Sequence, residues 1–140
     1  MSTIIRTASA RRTEMQAEAA SAGVDAAFIS TLVETFYARV RADAELGPVF
    51  EHALGADWSE HLETMKRFWR SVALGEGVYS GRPIPAHHKH LDRMEPAHFD
   101  RWLALFDETL RSLAPEGPAR GFFMSRAERI GARFREILWS

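Results

Sequence analysis

The chain has 140 residues, 46% of them hydrophobic, which suits a single domain with a substantial core. Its net charge of -1 argues against nucleic acid or an anionic membrane as a partner. With no cysteine, it can form no disulfide, thiolate-held metal site or iron–sulfur cluster.

No apolar run approaches the roughly 18 residues of a membrane span. The N-terminal stretch MSTIIRTASARRTEM lacks the apolar centre of a secretory signal, so the cytoplasm is the expected compartment. Residues 1–23 are rich in Ala, Ser, Thr and Arg and have little bulk to bury; they read as a flexible N-terminal arm or a short pre-helix. Residues 24–140 read as one domain.

Apolar positions in residues 24–41 recur at helical spacing: Phe28, Ile29, Leu32, Val33, Phe36 and Val40, with Asp25 placed to cap the start. Tyr37 falls at the edge of that arc, where its ring can be buried and its hydroxyl can still reach a pocket. Gly47-Pro48 then breaks the helix, because a proline biases the residue before it away from the α region. Val49 and Phe50 follow the break, ahead of a short polar segment containing His52.

The stretch 57–75, DWSEHLETMKRFWRSVALG, is a helix at about 100° per residue. Trp58, His61, Leu62, Met65, Phe68, Trp69 and Val72 share its apolar arc, and His61 is the one ionisable side chain there. Residues 76–95 hold Gly81, Pro83 and Pro85 and allow at most a short helix over about 86–92; His87, His88 and His90 lie in this segment. Pro96 opens a further helix with Phe99, Trp102, Leu103, Phe106, Leu110 and Leu113 on one face. After a Pro/Gly loop, a last helix over 119–138 presents Phe123, Ala127, Ile130, Phe134 and Ile137. Four long amphipathic helices, a short one and no alternating strand pattern define an all-α fold.

Aromatics at helical spacing are most often plain core, and a lone histidine on an apolar face is most often a hydrogen-bonded core residue. Three chemical readings compete with that. A zinc site from His87, His90 and Asp92 has short spacing but no HExxH helix. Acid–base hydrolysis needs paired carboxylates, and the acidic residues here fall on polar helix faces. A haem needs one imidazole from a loop or short helix, an aromatic-rich apolar slot and a few polar groups opposite; the chain offers each of these.

Four segments carry a family resemblance: FYARVRADAELGPVF (36–50), DWSEHLETMKRFW (57–69), YSGRPIPAH (79–87) and HFDRWLALFDETL (98–110). In order and spacing they resemble the group III truncated haemoglobins. The resemblance implies a truncated globin, a two-over-two helical sandwich around haem b (iron protoporphyrin IX). It implies that His87 is the ligand to iron, although counting back from His98-Phe99 allows His88 if the loop carries an insertion. It further implies Tyr37 and Trp102 as donors to an iron-bound ligand, with His61 beside them. Phe50 would stack on the haem, and Leu62, Met65, Phe68, Trp69 and Leu91 would line its pocket. Thr64 stands where some relatives carry a lysine, so Arg82, Lys89 and Arg93 are the candidate cations for the haem carboxylates. The function implied is reversible binding of O2, NO, CO or a similar small ligand. The alternative is a redox enzyme acting on NO or peroxide, for which a separate reductase is needed, since no flavin- or NAD-binding segment is present.

Overall fold

The computed structural model describes residues 8–139, and among them there are seven α-helices and no strand. The helices are α1 (Ala8–Ser21), α2 (Ala26–Ala42), α3 (Leu46–Leu54), α4 (Ser59–Leu74), α5 (Pro83–His88), α6 (Pro96–Leu113) and α7 (Ala119–Leu138). A 3-10 turn, Leu91–Arg93, links α5 to α6. Residues 1–7 of the expected N-terminal arm lie outside the described residues; residues 8–21 form α1.

Two helix pairs build the core. α2 packs on α4, α6 packs on α7, and α2 lies against α6 to join the pairs. Phe106 of α6 sits at the junction. Trp69 stacks on it at 5.3 Å and 16°, Trp102 stacks on it at 5.1 Å and 15°, and Phe36 meets it edge-on at 5.0 Å. Offset and edge-to-face aromatic pairs of this kind each add about 0.5–1.5 kcal/mol beyond the area they bury.

Local chemistry sets the helix ends. Asp25 caps α2 through Oδ1, which accepts from Phe28 N–H at 2.8 Å. Asp43, just past α2, accepts from Leu46 N–H at 2.9 Å and Glu45 N–H at 3.1 Å, and so starts α3. Its other carboxylate oxygen takes a two-pronged ion pair from Arg101 of α6. α4 ends at Gly75, whose φ of +66° is the left-handed conformation glycine adopts freely. Arg12 Nε donates to Gly75 O (3.0 Å) and Gln16 Nε2 to Leu74 O (3.2 Å), so α1 satisfies carbonyls that the end of α4 leaves open.

Three expectations about elements need correction. Gly47-Pro48 ends nothing by itself: both residues lie inside the first turn of α3, a nine-residue helix where a short polar segment was expected. A proline in a first helical turn forfeits no intrahelical hydrogen bond, so it initiates as readily as it breaks. The short helix of the 76–95 segment begins at Pro83, earlier than expected, again with proline in its first turn, and stops at His88. On α7, Ile137 is 41% exposed and Leu138 is buried instead, because the inward face follows Phe123, Ala127 and Gly131.

Candidate functional site

Between α3, α4, α5, α6 and α7 lies a cavity of about 360 Å³, within the usual range for small-molecule and cofactor pockets. Its walls are mostly aromatic and aliphatic, and no Asp or Glu is among its described lining residues. Four polar side chains organise it: Tyr37, His61, His87 and Trp102.

His87 is on the last turn of α5, half-buried, with Phe134 at 4.9 Å and Phe99 at 6.1 Å between ring centroids. Its Nδ1 lies 2.6 Å from Pro83 O, one turn back. A carbonyl only accepts, so the Nδ1 proton donates and Nε2 keeps its lone pair. Burial holds the His87 pKa below the ordinary histidine value, with the Pro83 bond acting in the opposite direction. His88, by contrast, is exposed and does not line the cavity.

His61 enters from α4. Its Nε2 is buried and has no hydrogen-bond partner among the described residues. Burial pushes its pKa down to about 4, with the nearby His87 adding to the effect, so the ring is neutral at physiological pH. An unpartnered buried imidazole nitrogen is uncommon, because leaving such a group unsatisfied costs about 1–3 kcal/mol.

Tyr37, on α2, is buried, and its ring meets His61 at 4.9 Å and Phe50 at 5.9 Å. Burial pushes its hydroxyl well above the usual tyrosine pKa; the nearby Trp102 side chain works the other way. The hydroxyl therefore stays protonated and remains available as a donor.

Of the residues expected at the site from sequence, Tyr37, Phe50, His61, Met65, Phe68, Trp69, His87 and Trp102 all line this cavity. Leu62 and Leu91 do not: Leu62 packs against the hydrophobic core, and Leu91 opens the 3-10 turn. Among the candidate cations, Lys89 lines the cavity and Arg82 and Arg93 do not. Among the described residues, no three His, Cys, Asp or Glu side chains gather as a metal site, which leaves the zinc reading of His87, His90 and Asp92 without a ligand set.

Sequence reasoning missed Leu46 and Ala53 of α3, because that helix was not expected. It missed Tyr79 in the coil before α5, whose ring packs edge-on against Phe68 at 5.2 Å. It also missed His98, although the motif HFDRW had singled out the segment.

The bacterial-like globin family matches over residues 21–130. The Group 3 truncated hemoglobin ctb of Campylobacter jejuni subsp. jejuni is 37% identical over 116 residues, 79% of this chain and 88% of that protein. The crystal structure of the group III truncated hemoglobin from Campylobacter jejuni superposes with a TM-score of 0.75 at 34% identity, covering 84% of this chain and 93% of that one. The all-α fold described above is that of a truncated globin. This chain belongs to the bacterial-like globin family and, within it, to the group III truncated haemoglobins.

Membership of a globin family implies a haem and a small gaseous ligand such as O2. The cavity fits a haem on its own chemistry: apolar aromatic walls, one imidazole with a free Nε2 lone pair, and an unpartnered His61 Nε2 buried at the same cavity. Among the described residues, no helix is long and apolar enough to cross a membrane.

Proposed function

We propose that the chain holds haem b in this cavity through His87 and reversibly binds O2, or a similar diatomic ligand such as NO or CO, beside Tyr37, Trp102 and His61. The observation that carries this reading is the commitment of His87 Nδ1 to Pro83 O, which leaves a bare Nε2 on a residue that lines an apolar pocket. A hydrogen bond at the second ring nitrogen fixes tautomer and orientation and raises ligand basicity, which is how metal-binding histidines are ordinarily held.

A bound haem supplies an iron with one coordination position for an exchangeable gas. The protein's residues do the rest. Phe50, Met65, Phe68 and Trp69 exclude water, so each remaining polar contact acts in a low dielectric. The Tyr37 hydroxyl and the Trp102 indole N–H are donors available to a ligand that gathers negative charge. Hydrogen bonds to charged groups contribute about 1.5–3 kcal/mol. Two of them would slow ligand release by about two to four orders of magnitude, at about 1.4 kcal/mol per tenfold. His61, neutral and unpartnered, is a third polar group beside Tyr37 that can accept a hydrogen bond or donate one.

Slow release suits holding, or chemistry on the held ligand, better than delivery. That supports the second reading, turnover of NO or peroxide with electrons from a separate reductase. Reconstitution with haemin followed by absorption spectra of the ferric, ferrous, oxygenated and CO forms tests the first reading; absence of a Soret band would sink it. Stopped-flow mixing of the oxygenated protein with NO, with and without a reductase, decides between binding and turnover.

A further inference from the structure

Tyr79 aside, three polar side chains at the cavity have no part in ligating iron or holding the gas: Lys89, His90 and His98. All belong to the segment between α5 and the first turn of α6. Lys89 is exposed, and His90 and His98 are half-buried, so this segment is the solvent edge of the cavity.

The three differ from His87 in what they offer. His98 Nδ1 accepts the Glu95 N–H at 2.9 Å. Its proton is therefore on Nε2, the nitrogen left free, which makes the ring a donor where His87 presents a lone pair. Two histidines at one cavity are thus set in opposite tautomers by a single backbone contact each. Lys89 has no carboxylate within ion-pair distance among the described residues, whereas the chain's other lysine, Lys66, is held by Glu34 and Glu63. The His90 ring is packed edge-on against His52 of α3 at 5.9 Å, which places a further imidazole beside this edge. The edge is rich in N–H groups, and the cavity offers no Asp or Glu to compete for them.

Haem b is an apolar plate with two carboxylates along one edge. Burying an unpaired carboxylate is strongly unfavourable, so the plate enters with that edge towards water and towards donors. We infer that residues 89–98 form the carboxylate-binding rim of the cavity, with His98 Nε2–H donating to one haem propionate and Lys89 supplying the positive charge for the pair. This rests on the haem reading above. It assigns to His98 a ligand-anchoring role in addition to its local contact at the start of α6.

Haem dissociation tests it. The ferric protein would be loaded either with haemin or with haemin dimethyl ester, which lacks free carboxylates, and transfer to an excess of a competing apoglobin followed by absorbance. With haemin, His98→Leu should release its group about tenfold faster than wild type, the effect of losing one charge-assisted hydrogen bond. His98→Gln, which keeps an N–H donor, should recover part of the loss. With the ester, His98→Leu and wild type should release at the same rate. Lys89→Met, which leaves the α6 start untouched, should likewise speed release of haemin and not of the ester. Equal acceleration with both groups would mean that His98 acts only on α6. Unchanged release of haemin from both variants would remove the rim altogether. Failure of the wild type to take up either group would instead overturn the haem reading.

Discussion

Tyr37 of α2 and His61 of α4 meet edge to face, with ring centroids 4.9 Å apart and planes at 90°. The contact sets the α2 donor beside the unpartnered α4 imidazole at one cavity, and leaves His61 Nε2 with no partner among the described residues. Truncating His61 should therefore relieve a buried unsatisfied nitrogen as well as remove a polar group from the ligand side. His61→Leu should leave thermal stability unchanged or raise it, while changing the rate of O2 or CO binding. Differential scanning calorimetry and flash photolysis on the same variant separate the two effects. A clear loss of stability would show that the nitrogen is satisfied in the folded protein.

Tyr37→Phe keeps the ring and its contacts with Phe36 and Phe50 and removes only the hydroxyl. O2 dissociation should accelerate about 10- to 100-fold, the range expected for one hydrogen bond to a charged acceptor. Trp102→Phe should act in the same direction. The double variant should fall short of the product, because the Trp102 side chain also acts on the Tyr37 hydroxyl. Since burial raises the Tyr37 pKa, the wild-type rate should stay flat as pH rises through about 10, where an ordinary tyrosine ionises.

Gly47 lies in the first turn of α3, and a methyl group there would come within 2.7 Å of Arg41 O at the end of α2. The obstacle is backbone, so it cannot swing aside. Gly47→Ala should cost about 1–3 kcal/mol, as overpacking usually does. It should also disturb the cavity, since α3 carries Phe50. Thermal unfolding gives the first effect, and a shift of the Soret maximum would report the second.

The Asp43–Arg101 pair ties the start of α3 to α6. The Arg101 hydrogen bond, with the Leu46 and Glu45 N–H groups, holds the Asp43 carboxyl below the ordinary aspartate pKa. A depressed folded pKa means the unfolded chain binds the proton more readily. The stabilisation is therefore complete above about pH 4 and is lost as pH falls below it, through the folded value. Asp43→Ala should lower stability at neutral pH by about 1 kcal/mol, the usual effect of losing a cap. The difference from wild type should shrink on acidification; denaturant melts at neutral and acid pH measure both.

What the sequence disclosed, and what it hid, follows from the range of the interactions involved. α6 was legible to its ends because Pro96 and a regular aromatic stripe are local signals. α3 was not, because a Gly-Pro pair reads as a break, and only the packing of α2 against α3 shows it as a first turn. Residues of the α4 arc were correctly placed inward, but the arc is wider than the cavity: Met65 and Trp69 reach it, and Leu62 goes to the core. Counting residues left His87 and His88 both open as the imidazole at the cavity, whereas the turn of α5 sends one ring to the cavity and the other to solvent. The carbonyls satisfied by Arg12 and Gln16 lie about sixty residues further along the chain, beyond the reach of any local pattern.

Ligation of haem iron by His87 Nε2 is the proposal on which the other site roles depend. The most direct measurement is the absorption spectrum of the haemin-reconstituted ferrous protein and its CO form for His87→Gly and His88→Gly, with and without added imidazole. His87→Gly should lose the imidazole-ligated spectrum and regain it when imidazole is supplied, while His88→Gly should match wild type throughout. A wild-type spectrum in His87→Gly, or its loss in His88→Gly with imidazole rescue there, would contradict the account.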